Sequence, residues 1–174
     1  MKRLITAITL VLLMSILTSG CSIAKTTQEP PKVTITIGDK QIDYIVAKNK
    51  WNGAIHDREA TFKSIMKKAS KSEIPYIEIG NTATITFINN PPTKFTIKDI
   101  LIDESGKQRY SDKEIFNIPV ELKKGKASFK IEKHFAAALS SDYVEGKTEL
   151  RGFSITATWG ENECEYAFII RTDS

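Results

Sequence analysis

Histidine, cysteine and long apolar runs are all scarce in this chain of 174 residues. Its two histidines, His56 and His134, form no pair at helical spacing, and the sequence has no nucleophile elbow and no phosphate loop. No catalytic residue is therefore assigned. Two cysteines, Cys21 and Cys164, are too few for a zinc cluster, which needs several Cys or His at short spacings. Neither a metal nor a cofactor is expected. Glycine and proline number only 9 and 6, and aromatics make up 9%, which disfavours fibrous and disordered classes. One ordinary domain fits this length, and its core needs neither disulfide nor metal.

What is present begins at the N-terminus. Lys2 and Arg3 precede the uncharged run LITAITLVLLMSIL (residues 4–17), which is shorter than the roughly 20 residues a helix needs to cross a bilayer. That pattern is a signal-peptide core, with the dibasic start held on the cytoplasmic side. The run ends in LTSGC (residues 17–21), which resembles the lipobox of bacterial lipoproteins. The resemblance implies a diacylglyceryl group on the Cys21 thiol and cleavage by signal peptidase II between Gly20 and Cys21. The residue types suit that chemistry: a thiol is nucleophilic enough to form the thioether, and Ser19 and Gly20 let a protease approach the backbone. Thr18 departs from the larger aliphatic residue usual at its position. The alternative is an uncleaved anchor or a plain secretory signal with an incidental cysteine.

A lipid anchor has a physical rationale, because each buried methylene contributes about 0.8 kcal/mol and two acyl chains hold a protein stably where one does not. Residues 22–32, SIAKTTQEPPK, then read as a polar tether stiffened by Pro30 and Pro31. At roughly 3.3 Å per residue it reaches on the order of 35 Å when extended. The expected division is a signal peptide over 1–20, a lipidated cysteine and tether over 21–32, and an extracytoplasmic domain over 33–174. Composition rich in Lys, Ile and Thr with a lone downstream cysteine resembles extracytoplasmic proteins of Gram-positive bacteria, which implies the outer leaflet of the plasma membrane.

Period-two patterning dominates the domain. KVTITIG (residues 32–38) alternates Val33, Ile35 and Ile37 with Thr34 and Thr36, as a half-buried strand requires. Further strands are predicted at 41–46, 75–80, 82–88, 94–103, 118–122, 127–132, 150–160 and 164–171, the last two forming a hairpin through GENE. Asp99 breaks the alternation between Ile97 and Ile100, where a bulge is expected. Cys164 shares its phase with Tyr166, Phe168 and Ile170, so a buried, inert thiol is expected. DESGK (residues 103–107) reads as a turn rather than a calcium loop. Glu161, Glu163 and Glu165 near the hairpin end read as solubilising charge rather than a cation site.

Residues 57–71 differ, with Phe62, Ile65, Met66 and Ala69 at helical spacing and Asp57 placed as an N-cap. A second helical turn is expected over 134–141. Many short strands with one or two short helices predict an all-β, antiparallel β-sandwich of immunoglobulin type; the alternative is an α+β sheet with the helix packed on one face.

Charge is unevenly placed. Residues 48–71 carry seven Lys or Arg against Asp57 and Glu59, a local +5, whereas the chain from Cys21 onward totals 23 basic and 21 acidic residues, or +2. So low a net charge outside the cytoplasm argues against a nucleic-acid partner. The basic lobe makes Trp51, Asn52, His56, Lys63, Lys67 and Lys68 the candidate binding residues, facing anionic lipid, cell-wall polymer or an envelope protein at roughly 1 kcal/mol per basic residue near a charged surface. The competing reading packs Trp51 under the helix and leaves the lysines as its solvated face. Two functions of different class follow: a membrane-anchored cell-envelope lipoprotein acting as a binding or assembly module, or an envelope hydrolase acting on cell-wall or carbohydrate substrates through carboxylates and His56.

Overall fold

Alternation of threonine with branched apolar residues builds the first sheet. In β1 (Val33–Ile37) and β5 (Thr82–Phe87) the apolar positions are buried, and the threonines line the outer face. The computed structural model describes residues 29–56, 61–139, 141 and 143–174. Along them β2 (Lys40–Gln41) follows β1, and β3 (Ile45–Trp51), β4 (Ala54–Ile55) and helix α1 (Thr61–Met66) precede β5. Then come β6 (Lys94–Ile102), β7 (Phe116–Ile118), β8 (Lys126–Lys130), β9 (Thr148–Trp159) and β10 (Asn162–Asp173).

These strands form two antiparallel sheets, ordered β2-β1-β5-β8 and β4-β3-β10-β9-β6-β7. The fold is an all-β sandwich. Strands β1, β5 and β8 facing β10, β9, β6 and β7 follow the order A, B, E against G, F, C, C′ of an immunoglobulin-type sandwich. Strands β3 and β4 and helix α1 are inserted between the first two of these.

The larger sheet is buried on both faces. One face meets the small sheet through Phe153, Ile155, Tyr166, Phe168 and Ile170, with the Phe153 and Phe168 rings stacked 4.8 Å apart. Cys164 lies fully buried in the same layer. The other face carries Ile100, Ile102, Leu150, Ala167 and Ile169, and α1 covers it with Phe62, Ile65 and Met66, joined by Ala69 of the turn that follows the helix. The apolar stripe expected of the helix is the stripe that packs. Its Asp57 cap lies outside the described residues.

Gly152 of β9 lets α1 sit this close: a β-carbon there would stand 2.7 Å from the Phe62 ring. Gly106, at φ +77°, brings its turn against the Phe62 backbone, where a β-carbon would also meet atoms at 2.7 Å. Side-chain burial and backbone freedom thus act together on one helix residue.

Several expectations shift in detail. Residues 75–80 form no strand beyond a single parallel bridge at Tyr76; Pro75 has no N–H to give a ladder, and the segment instead crosses the sandwich pinned to Arg171. Strand β7 ends at Ile118, before Pro119, although Val120 and Leu122 still pack on the core. No bulge forms at Asp99, since β6 pairs with β9 in unbroken register from Lys94 to Ile102. The bulge lies in β3 instead, where the register against β10 jumps between Lys48 and Lys50. The hairpin of β9 and β10 closes through Gly160 and Glu161 alone, because Asn162 pairs with Trp159. The turn at 103–107 stands as expected: Asp103 accepts from the Ser105 hydroxyl and from the backbone N–H of Ser105 and Lys107, which lowers its pKa.

Residues 29–32 already lie on the domain. Tyr166 donates its hydroxyl to the Pro31 carbonyl at 2.5 Å, and Lys48 meets Glu29 at 2.9 Å. Of residues 22–32, expected to be a tether, 29–32 are thus held on the domain by Tyr166 and Lys48. Cys21 and the segment before it lie outside the described residues.

Candidate functional site

The six residues singled out from the sequence occupy three settings. Trp51 is only 3% exposed, its ring edge-on to Trp159 at 5.8 Å inside the inter-sheet core. The β3 bulge puts it there. Val46 and Lys48 share the inter-sheet face with Tyr166 and Cys164, and one extra residue before Lys50 turns Trp51 to that same face. Its ring is spent on packing, so it offers no contact surface. Asn52 sits in the turn between β3 and β4 at φ +52°, its N–H donating to Asn162 Oδ1 at 2.9 Å. His56 is exposed just beyond β4.

Lys63, Lys67 and Lys68 are exposed along α1 and the turn that follows it. Other lysines of the basic lobe are met by acids from elsewhere in the chain: Lys48 by Glu29, Lys50 by Glu161 and Lys71 by Glu104. The +5 read along the sequence is therefore partly neutralised in space. Glu163 and Glu165 accept hydrogen bonds from Asn49, Ser154 and Thr61. They do not gather into a cation site.

A different place has the shape of a site. Strands β7 and β8 are the outer strands of their sheets on the same side of the sandwich, and the sheets do not close against each other there. A cleft of about 290 Å³ opens between them. Phe116 and Ile118 of β7, Phe129 of β8 and Phe153 of β9 give it apolar walls, and Lys130 and Lys133 stand at its rim. Phe116 keeps 39% of its surface exposed, an unusual cost for a phenylalanine that could have been buried.

The cleft floor is charged. Arg151 of β9 reaches Asp99 of β6 with Nε donating to Oδ1 at 3.1 Å and Nη2 donating to Oδ2, a bidentate pair. Its Nη1 donates to the Glu132 carbonyl at 2.5 Å, and the guanidinium lies 5.6 Å from the Phe153 ring centroid. Both side chains are nearly sealed, at 4% and 1% exposure. Asp99 breaks the sequence alternation because it points inward, toward this partner, while Ile100 and Ile102 point toward α1.

His134 packs behind the Asp99 end of this pair. It is buried, its Nε2 donates to the Asp99 carbonyl at 3.2 Å, and its Nδ1 accepts from the Ala136 N–H at 3.2 Å, a pattern that needs the neutral ring. Burial lowers its pKa, against the opposing attraction of Asp99, while Arg151 lowers it further. The folded state then resists protonation that the unfolded chain accepts. This contribution to stability is complete above the ordinary histidine pKa and is lost as pH falls through the lowered one. The thermal midpoint should therefore fall between about pH 7 and pH 5 more steeply in the native chain than in His134→Gln, which removes the titrating ring. Parallel profiles from differential scanning calorimetry would refute a buried neutral histidine.

Chemically the cleft suits binding. Asp99 has both carboxylate oxygens engaged by one guanidinium, so it is not poised as a base. Among the described residues no cluster of three or more His, Cys, Asp and Glu is placed to hold a metal. The apolar walls and the lysine rim favour a ligand with an apolar side and a negative one. Sequence patterning did not point to this place, although it held one signal: Asp99 and Arg151 are opposite charges at inward phase on two strands. Compared with protein-family models, with curated proteins and with solved structures, the chain matches none.

Proposed function

We propose that the chain is a cell-envelope lipoprotein whose sandwich is a binding module, held on the extracytoplasmic face of the membrane by a diacylated Cys21. The cleft between β7 and β8 carries the binding part of this reading, because it sets exposed aromatic surface beside a fixed, fully neutralised ion pair. The sequence LTSGC carries the anchoring part.

The anchor is tested by intact mass of the membrane-extracted protein. The expected mass lacks residues 1–20 and carries a diacylglyceryl adduct, and Cys21→Ala should abolish that processing and release the chain from the membrane fraction. A mature form cut elsewhere without lipid would make it a secreted domain.

A further inference from the structure

The small sheet ends at β8 on a side where an immunoglobulin-type sheet of order A, B, E, D would carry one more strand. Among the described residues no strand occupies that position. The chain between β7 and β8 turns back instead through Lys123 and Lys126, whose backbones bond each other at 2.8 and 3.0 Å.

The pairing of β8 shows which groups face the gap. Gly125 accepts from Phe87, and Ile131 donates to Asn81, so the odd-numbered residues of β8 bond to β5. The N–H and C=O of Ser128 and Lys130 therefore point away from β5, into the open edge. Beneath that edge lies the apolar cleft, and a more open depression of about 450 Å³ adjoins it, sharing Pro119 and Ser128. Backbone groups, an apolar floor and an unfilled strand position coincide.

We propose that this edge takes up an extended peptide segment of a partner protein as an added strand, with apolar and acidic residues in alternation. The idea rests on the binding-module reading above and names its ligand class. Alternation follows from the pleat: residues of the added strand beside Ala127 and Phe129 point into the cleft, and those beside Lys126, Ser128 and Lys130 point outward. Among the described residues no carboxylate lies within ion-pair distance of Lys126 or Lys130, so outward acids on the guest find cations without a partner. A second copy pairing through its own β8 would instead set lysines against lysines, which disfavours that occupant. A lysine-bearing edge alone would suffice to prevent aggregation. It would not require the cleft with Phe116 exposed beside it.

The test is selection of displayed nine-residue peptides on the full-length chain in detergent, followed by affinity measurement on variants. Enriched peptides should alternate apolar and acidic residues and shift the amide resonances of Ser128 and Lys130. Ser128→Pro removes an outward N–H and an exposed hydroxyl contact to Thr84 Oγ1 at 3.0 Å but no ladder bond to β5, so its thermal midpoint should stay near native while affinity falls at least tenfold. Should that variant misfold, Lys126→Glu with Lys130→Glu keeps the backbone, and it should lose the acidic peptides and select basic ones. The proposal is overturned by a selection with no enrichment, by peptides that bind the folded variants unchanged, or by a cell-wall saccharide that fills the cleft with Ser128→Pro as tolerant as native. None of these outcomes touches the lipid anchor, which the mass measurement decides separately.

Discussion

Arg151→Ala should cost about 3–5 kcal/mol of unfolding free energy, the range found when one partner of a buried ion pair is removed. The expectation follows from position. Asp99 is 1% exposed, so without Arg151 its carboxylate stays in the sandwich interior with no counter-charge, and the Glu132 carbonyl loses its donor as well. Domains of ordinary stability hold only about 5–15 kcal/mol in total, so the variant would sit close to its unfolding threshold at 25 °C. In urea, with a slope of about 1–3 kcal/mol/M, the midpoint should drop by at least about 1 M. Lys98→Ala, one residue from Asp99 but exposed on the opposite face, is the matched control and should barely move it.

The paired replacement separates charge from shape. Arg151→Met with Asp99→Leu removes both charges and keeps most of the volume, and it should recover most of the loss, because two apolar side chains carry no desolvation cost. A double variant as unstable as Arg151→Ala would show that the geometry of the pair, including its bond to Glu132, matters more than charge balance. A single variant no worse than Lys98→Ala would mean that water reaches the pair and that the floor of the cleft is not sealed.

The same strand shows what the sequence could and could not disclose. Alternation located β1, β5, β6 and the long hairpin because each has at least one face wholly in the inter-sheet core, and burial on one face is what period two records. It failed at 75–80 and 118–122 for one shared reason. Ile77, Val120 and Leu122 are drawn into the core although 75–80 and 119–122 pair with no strand beyond the bridge at Tyr76, so their phase reports burial and not pairing. Asp99 was legible as an anomaly but not as half of a pair, since Arg151 lies in another strand far along the chain. Trp51 reads from the sequence as a contact residue, whereas the β3 bulge, a single extra residue that no composition rule marks, turns it into the inter-sheet core. The cleft itself had no local signal at all. It arises where the edges of two sheets fail to meet, and that is decided only when the strand order is known.

Gly152→Ala should destabilise the domain by about 1–3 kcal/mol, the usual cost of forcing a methyl group into a filled site. The strand itself would gain from losing a glycine, so the sign depends on the helix above it. The added methyl would stand 2.7, 2.7 and 2.9 Å from three carbons of the Phe62 ring, and that ring is the deepest anchor of α1. Phe62 cannot simply swing aside, because its backbone is pressed by the Gly106 turn and its ring sits in a buried cluster with Ile100, Ile102, Leu150 and Ile169. Phe62→Ala alone should cost about 3–5 kcal/mol through the cavity it leaves. Together the two changes should cost less than their sum, since the methyl on residue 152 then partly fills the space vacated by the ring, giving a coupling of about 0.5–3 kcal/mol. Chemical denaturation of the four chains measures it directly. Strict additivity would mean that α1 lifts from the sheet as a unit when Gly152 is replaced, and that the second core holds the helix far more loosely than its burial implies.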